Sequence, residues 1–298
     1  EEILDVSVPK GWFLFVTPGT KYITVGGAIA SDVHGKNHHK EGTFCDHVLS
    51  FELMLPDGKI VSCSKKINKE LFHATCGGNG LTGIILKATF RLKQIETAYI
   101  KQRAIKAANI DELIKLLEEN ESYTYSVAWI DCVAKGKKLG RGILLLGEHA
   151  SVSDLKNKNQ IIKPLILKKK PMLNVPFFFP NFVLNKISIN IFNFLYYNKA
   201  AKGVTDSIID YNTFFYPLDA VDNWNRIYGK RGFTQYQFAV PKSTETKGVR
   251  EIVQKISDNG MGSFLAVLKT FGPANENYVS FPMEGYTLAL DFPIKNKL

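Results

Sequence analysis

The chain has 298 residues, 45% of them hydrophobic, enough to bury a sizeable core in one large domain or, as expected here, two smaller ones. Its net charge of +10 points to an acidic partner, whether nucleic acid, an anionic membrane or a phosphorylated substrate, and charge alone does not choose. The four cysteines, Cys45, Cys63, Cys76 and Cys132, form no CxxC pair, which speaks against a zinc ribbon or a thioredoxin-type centre and suits reduced thiols in the cytosol.

From Trp12 to about Lys93 the sequence reads as short strands broken by glycine. "WFLFV" runs into Pro18-Gly19, and "VLSFELMLPDGKIVSCS" places two strands around a Pro56-Asp57-Gly58 turn, a hairpin. "NKELFHATCGG" predicts a short helix stopped by glycine, and "IILKATFRLK" alternates as a strand. Near Thr97 the glycine density falls and longer elements begin, so a domain boundary is expected there, dividing residues 1–97 from 98–298. Asn109 caps a helix whose stripe is Ile110, Leu113, Ile114 and Leu117, with Glu112 placed for a capping box. A second helix carries Val249, Ile252, Val253 and Ile256 and stops at Asn259-Gly260. Strands fit "YTYSVAWI", "RGILLLG", "FTQYQFAV", "SFLAVLKTF" and "YTLALDF", so the fold class is α+β, with a largely antiparallel sheet backed by helices.

Residues 163–199 fit a compact core poorly, because lysines and aromatics alternate there with four prolines. The segment reads as mobile. It suits an anionic lipid surface, with Phe177, Phe178 and Phe179 inserted and Lys168, Lys169 and Lys170 near headgroups, and equally a flap over the protein's own cleft. No apolar run reaches the length of about 18 residues that a membrane span needs, and the start lacks the basic and apolar regions of a secretory leader, so a soluble chain is expected.

His34, His38 and His39 form an HxxxHH cluster, which on a helix would align two zinc ligands. Gly35 and Asn37 oppose that helix and no cysteine or carboxylate completes a ligand set, so no metal is expected. Upstream, "PGTKYITVGGAIASDVHGKNHH" gathers glycines and small residues that let backbone N–H groups approach a diphosphate or a flat ring; a set of tight turns would use the same residues. "GGNGLTG" contains a literal GxGxxG at Gly78, Gly80 and Gly83, but a helix precedes it and a strand follows, the reverse of the dinucleotide-binding order. In "FTQYQF", period two puts Gln235 and Gln237 on one face, two amides suited to sugar hydroxyls. Lys269 ends an apolar strand face through Leu265 and Val267, either as a solvated strand end or as a cation for a phosphate or an ionising hydroxyl.

The two glycine clusters, in this order, resemble the flavin-binding domain of the vanillyl-alcohol oxidase (PCMH-type FAD-binding) superfamily. Together with "YTYSVAWIDC", "KLGRG", "NWNRIYG", "FTQYQFAVP" and "DFPIK", they resemble the decaprenylphosphoryl-β-D-ribose 2-oxidase family over nearly the whole chain. The resemblance implies FAD, held without a covalent bond, contacted by Gly19, Thr24, Val25, Gly26, Gly27, Ser31, Asp32, Val33, His34 and Ile85, with His34 beside the ring system. It implies that Lys36, Gln237 and Lys269 line a pocket for a polyprenyl-phosphate-linked sugar, whose secondary hydroxyl is oxidised to a ketone in making a cell-wall arabinose precursor. It further implies a separate short-chain reductase that completes an epimerisation, no nucleic-acid partner, and a cytoplasmic protein peripheral to the inner face of the membrane.

Against the family pattern, a glycine- and arginine-containing diphosphate loop is expected upstream of "PGT" and a lysine-bearing segment downstream of "DFPIK", so the chain reads as part of a longer protein in which that lysine is the better candidate base. Ala289 stands where some actinobacterial members carry cysteine. Two other readings fit: an alditol or aldonolactone oxidase of the same superfamily, and a non-catalytic module that binds anionic lipid.

Overall fold

In the computed structural model, which describes every residue except 168–172, 181, 202, 261 and 295–298, the chain enters through α1 (Glu2–Ser7) and β1 (Trp12–Leu14). The first glycine-rich stretch contains two helices that the sequence reading did not include, α2 (Val25–Ala30) and α3 (His38–Glu41). Strands β2 (Val48–Met54), β3 (Ile60–Ser64) and, after the short helix α4 (Lys69–Thr75), β4 (Ile84–Phe90) make an antiparallel sheet with β2 in the middle. Gly58 closes the β2–β3 hairpin at φ +82°, a conformation that costs glycine little. β5 (Leu92–Gln94) returns to pair with β1.

The remaining chain builds a larger sheet. β6 (Tyr99–Ala107) is followed by α5 (Ile110–Glu119), β7 (Tyr125–Ile130), β8 (Gly142–His149) and α6 (Lys158–Ile162). Then come β9 (Leu173–Asn174), α7 (Lys186–Lys199), β10 (Val204–Asp210), α8 (Tyr211–Phe215), β11 (Val221–Asp222), β12 (Phe233–Pro241), α9 (Glu245–Asn259), β13 (Ala266–Phe271) and β14 (Gly285–Pro293). Seven strands pair antiparallel in the order β10-β6-β8-β7-β13-β14-β12, while β9 and β11 form a separate parallel pair.

One face of the large sheet is covered by α5 and α9. Asn109 accepts the Glu112 N–H at 2.9 Å, and the Glu112 carboxylate reaches back to the Ala108 N–H at 2.7 Å, one residue beyond the capping-box partner. That start aims Ile110, Leu113, Ile114 and Leu117 at Leu144, Leu268 and Leu288 on the sheet and at Val249 and Val253 on α9, all buried. Burying each such side chain contributes about 1.5–3 kcal/mol, so Leu113→Ala alone would cost about 2–5 kcal/mol once its cavity is counted. α9 stops where expected, at Gly260 with φ +65°.

Strand alternation sends the other set of side chains to the opposite face: Gln235 and Gln237 from β12, Thr287, Ala289 and Asp291 from β14, Val267 and Lys269 from β13, and Trp129 from β7. α3 packs on β13 on that side. The 163–199 stretch departs from its reading at one end, for after Pro180 it forms α7, a 14-residue helix capped by Asn185, which accepts the Ile187 and Ser188 N–H groups. Phe177 and Phe178 are exposed and Phe179 half-buried, whereas Lys168, Lys169 and Lys170 lie outside the described residues.

Candidate active site

The glycine-rich stretch begins as an open shelf. Thr24 caps α2 by accepting the Gly27 N–H at 3.0 Å, leaving the first amides of the helix, Val25 and Gly26, with no carbonyl four residues back to bond. A Cβ built on Gly19 or Gly26 would meet nothing within 4 Å, and Gly19 and Gly27 are exposed, so backbone is presented there without side-chain cover. The second glycine cluster is tied to the first: the Gly77 N–H donates to the Ile29 carbonyl at 3.0 Å and the Asn79 N–H to Ala30 at 2.8 Å. α4 before it and β4 after it give the element order that sets this cluster apart from a dinucleotide-binding turn. Uncovered backbone amides at a helix start, beside the exposed side chains of Tyr22, Ile23, Ile84 and Leu86, suit an anionic diphosphate and an apolar ring system, so the residues present fit FAD.

Further along, the loop turns into the junction between the two sheets. Ser31 ends α2 at the surface, Val33 packs inward, and Ile85 points into the core of the small sheet while its neighbours Ile84 and Leu86 stay exposed. Asp32 is buried, its backbone at φ +39°, and its carboxylate faces the chain rather than the shelf. One oxygen accepts the Cys45 N–H at 3.1 Å; the other accepts Asn275 and Asn277 amides at 2.8 Å each and the Ser280 hydroxyl at 2.7 Å. Burial alone would push the Asp32 carboxyl up, but bonds from Thr43, Asn275, Ser280 and Asn277 outweigh it and hold it below the ordinary aspartate value.

His34 stands where the loop meets the large sheet. Its Nδ1 lies 3.1 Å from the Lys269 ammonium and its Nε2 3.2 Å from the Gln237 side-chain nitrogen; both neighbours are donors, and a neutral ring accepts from one of them. Gln237 in turn donates to the Thr287 hydroxyl at 2.9 Å, and Phe271 sets its ring edge-on to His34 at 4.7 Å. Burial and the nearby Lys269 charge push the His34 pKa well down, and burial brings Lys269 down to about 8. The histidines do not share a helix face: α3 starts at His38, whose Nδ1 accepts the Gly272 N–H at 3.0 Å, and His39 meets the Tyr123 carbonyl at 2.9 Å. Among the described residues no three His, Cys, Asp or Glu side chains come together as a metal site.

Lys36 takes a different direction from its partners in the motif. Its ammonium donates to the Phe214 carbonyl and sits 4.5 Å over the Phe214 ring, and burial followed by repulsion from Lys269 lowers its pKa to about 7. The structure therefore joins His34, Gln237 and Lys269 through hydrogen bonds and holds Lys36 against Phe214, near enough to Lys269 for the two charges to repel. It adds residues the sequence reading passed over: Thr287, Phe271, and Asp291, which accepts Gln235 at 2.8 Å and the Tyr228 hydroxyl at 3.2 Å. Period two along "GYTLALDF" was the available signal, since Thr287, Ala289 and Asp291 occupy its polar face opposite Leu288 and Leu290.

Residues 2–64 match the family model described as an FAD binding domain. Decaprenylphosphoryl-beta-D-ribose oxidase of Mycolicibacterium smegmatis is 39% identical over 298 residues, covering 99% of this chain and 64% of that protein. A protein of Streptomyces coelicolor described only by its place in the mprA 5' region is 30% identical, with 98% of this chain and 80% of that protein covered. The chain belongs to the PCMH-type FAD-linked oxidase superfamily. A shorter likeness, 40% identity over 80 residues, joins 25% of the chain to D-lactate dehydrogenase of Archaeoglobus fulgidus, with 18% of that enzyme covered. FAD is the superfamily's cofactor, and the shelf of α2 with the start of the His34 loop is the part of this chain that would hold it. This chain spans 64% of the length of the mycobacterial relative.

Proposed function

We propose that the protein oxidises a secondary hydroxyl of a polyprenyl-phosphate-linked sugar, the ribose 2'-hydroxyl, to a ketone. The observation that carries this reading is the meeting of His34, from the flavin-family loop, with Gln237 and Lys269 from the large sheet. When bound, FAD supplies the two-electron acceptor for the hydride. The chain's own residues do the rest. Gln237, fixed by Thr287, orients a sugar hydroxyl, and Gln235 beside it on the same strand face is held by Asp291. The Lys269 ammonium faces the neutral His34 ring and burial disfavours its charge, so a phosphate or a developing alkoxide would complement it. His34, neutral across the working range, keeps that ammonium in place without competing for it.

FAD is proposed to be held without a covalent bond, a reading supported by both ring nitrogens of His34 facing protein groups. The proposal includes a second, reducing enzyme of the short-chain type to act on the keto product, and a cytoplasmic location at the inner face of the membrane, where a lipid-linked substrate would be met. In anaerobic titrations of the holoenzyme, the flavin absorbance should bleach with polyprenyl-phosphate ribose and not with free ribose or xylitol. Gln237→Ala should keep its flavin and lose about 10–100-fold in kcat/KM, in line with loss of a substrate-orienting contact. Equal bleaching by free sugars would give the site to an alditol oxidase instead.

A further inference from the structure

The large sheet's open face leads away from His34 along a single row. Register pairs Gln237 with Ala289, Ala289 with Val267, and Val267 with Trp129, three strand spacings or about 14 Å of mostly apolar floor. At its far end the Trp129 ring meets Tyr196 of α7 at 4.6 Å, and Phe192 stacks on Tyr196 and packs against Phe264. α7 turns Ile189 and Asn193 toward the protein, where the Asn193 amide donates to Asp131 at 2.9 Å. Its other face repeats Ile187, Ile191, Phe194 and Leu195, one helical stripe whose members are 71%, 55%, 56% and 60% exposed. A helix apolar on both sides, with only one of them covered, is uncommon in a water-facing position.

The charge around this stripe indicates what covers it. Between Asp154 and Asp206 the sequence contains nine lysines and no aspartate or glutamate, and of the described ones Lys156, Lys158, Lys163, Lys186 and Lys199 are all exposed. An apolar stripe flanked by unopposed ammonium groups complements acyl chains beneath anionic headgroups, whereas a second copy of the chain would bring its own lysines against these. We propose that the outward face of α7 docks into the surface of an anionic bilayer, placing the apolar row at the mouth through which a lipid-borne substrate reaches His34. The purpose of this docking rests on the lipid-linked substrate proposed above; its physics does not.

Co-sedimentation of the holoenzyme with phosphatidylcholine vesicles, with and without phosphatidylglycerol, tests it. Binding is expected to require the anionic lipid, to weaken with salt, and to fall at least about tenfold in the Ile191→Glu/Leu195→Glu double variant, which removes two inserted side chains. Ile60→Glu, at an exposed apolar position on the small sheet, should bind as the parent does. Turnover of detergent-dispersed substrate reads the proposed reaction separately, and the double variant should retain it. Undiminished vesicle binding by the double variant, or none by the parent, overturns the docking; so does a parent dimer in light scattering that the double variant dissolves, which would assign the face to a second copy.

Discussion

Replacing Asp32 with asparagine asks how firmly the flavin-family loop is fastened to the segment 275–280. The substitution preserves shape and removes the charge, yet one of its two terminal atoms becomes a donor among donors. In the less costly orientation the amide oxygen keeps Asn275, Asn277 and Ser280, and the new NH2 faces the Cys45 N–H. Three bonds then lose about 1 kcal/mol of charge assistance each and a buried N–H loses its acceptor for about 1–3 kcal/mol, a total of about 4–6 kcal/mol. At about 2 °C per kcal/mol for a chain of this size, Tm should drop by roughly 10 °C. The pH dependence is set by direction. Because the folded carboxyl titrates below its unfolded value of 3.8, its contribution is complete above about pH 4 and disappears as pH falls through the folded value. Urea unfolding should therefore show a gap between parent and variant that is flat from about pH 7 to 5 and narrows in acid. A gap under about 1 kcal/mol at neutral pH, or one that widens in acid, would refute the latch.

Lys36→Met should raise stability below about pH 7, where the buried ammonium is charged in the folded state at a cost. The gain should shrink between about pH 7 and 10.5, as the unfolded-state lysine approaches its own titration, and thermal melts at neutral pH and at about pH 10 would read it. Gly35→Ala would put a Cβ 2.7 Å from the Asn37 side-chain oxygen and 2.8 Å from the Thr17 carbonyl; a loss of about 1–3 kcal/mol and a lower flavin content are expected, measured by urea midpoint and visible absorbance. Acid precipitation of the holoenzyme should leave its flavin in the supernatant, since His34 is engaged at both ring nitrogens, and yellow pellets would contradict that geometry.

Although β6 and β10 were not read as strands, β7, β8, β12, β13 and β14 and the helices α5 and α9 were legible because period-two and period-3.6 patterns are local, with Asn109 capping α5 and Gly260 stopping α9. α2 and α3 were not, because a turn or two of helix among glycines leaves too few residues for a period to register. α7 was obscured differently. Apolar on two faces and preceded by four prolines, it offers no stripe to follow, although Asn185 and Ser188 spell its cap. At the site, Gln237 and Lys269 could be placed on strand faces, but their convergence on His34 spans more than 200 residues and is fixed by register. Asp32 shows the same limit more sharply. An aspartate in a glycine-rich loop resembles a ligand contact, and nothing local reveals that three of its partners lie 243 to 248 residues away.

β14 is a wall with two tenants. Leu288 and Leu290 seal the helix-backed core on one side, while Thr287, Ala289 and Asp291 floor the site on the other. Sliding this strand by one position would expose its leucines to the substrate and press its threonine and aspartate into the core at once, so folding itself polices the register of the pocket. What stays open to change is the single small side chain at Ala289, between Gln237 and Val267. Substrate preference can drift there one side chain at a time, whereas an insertion anywhere along the strand would disrupt core and pocket together.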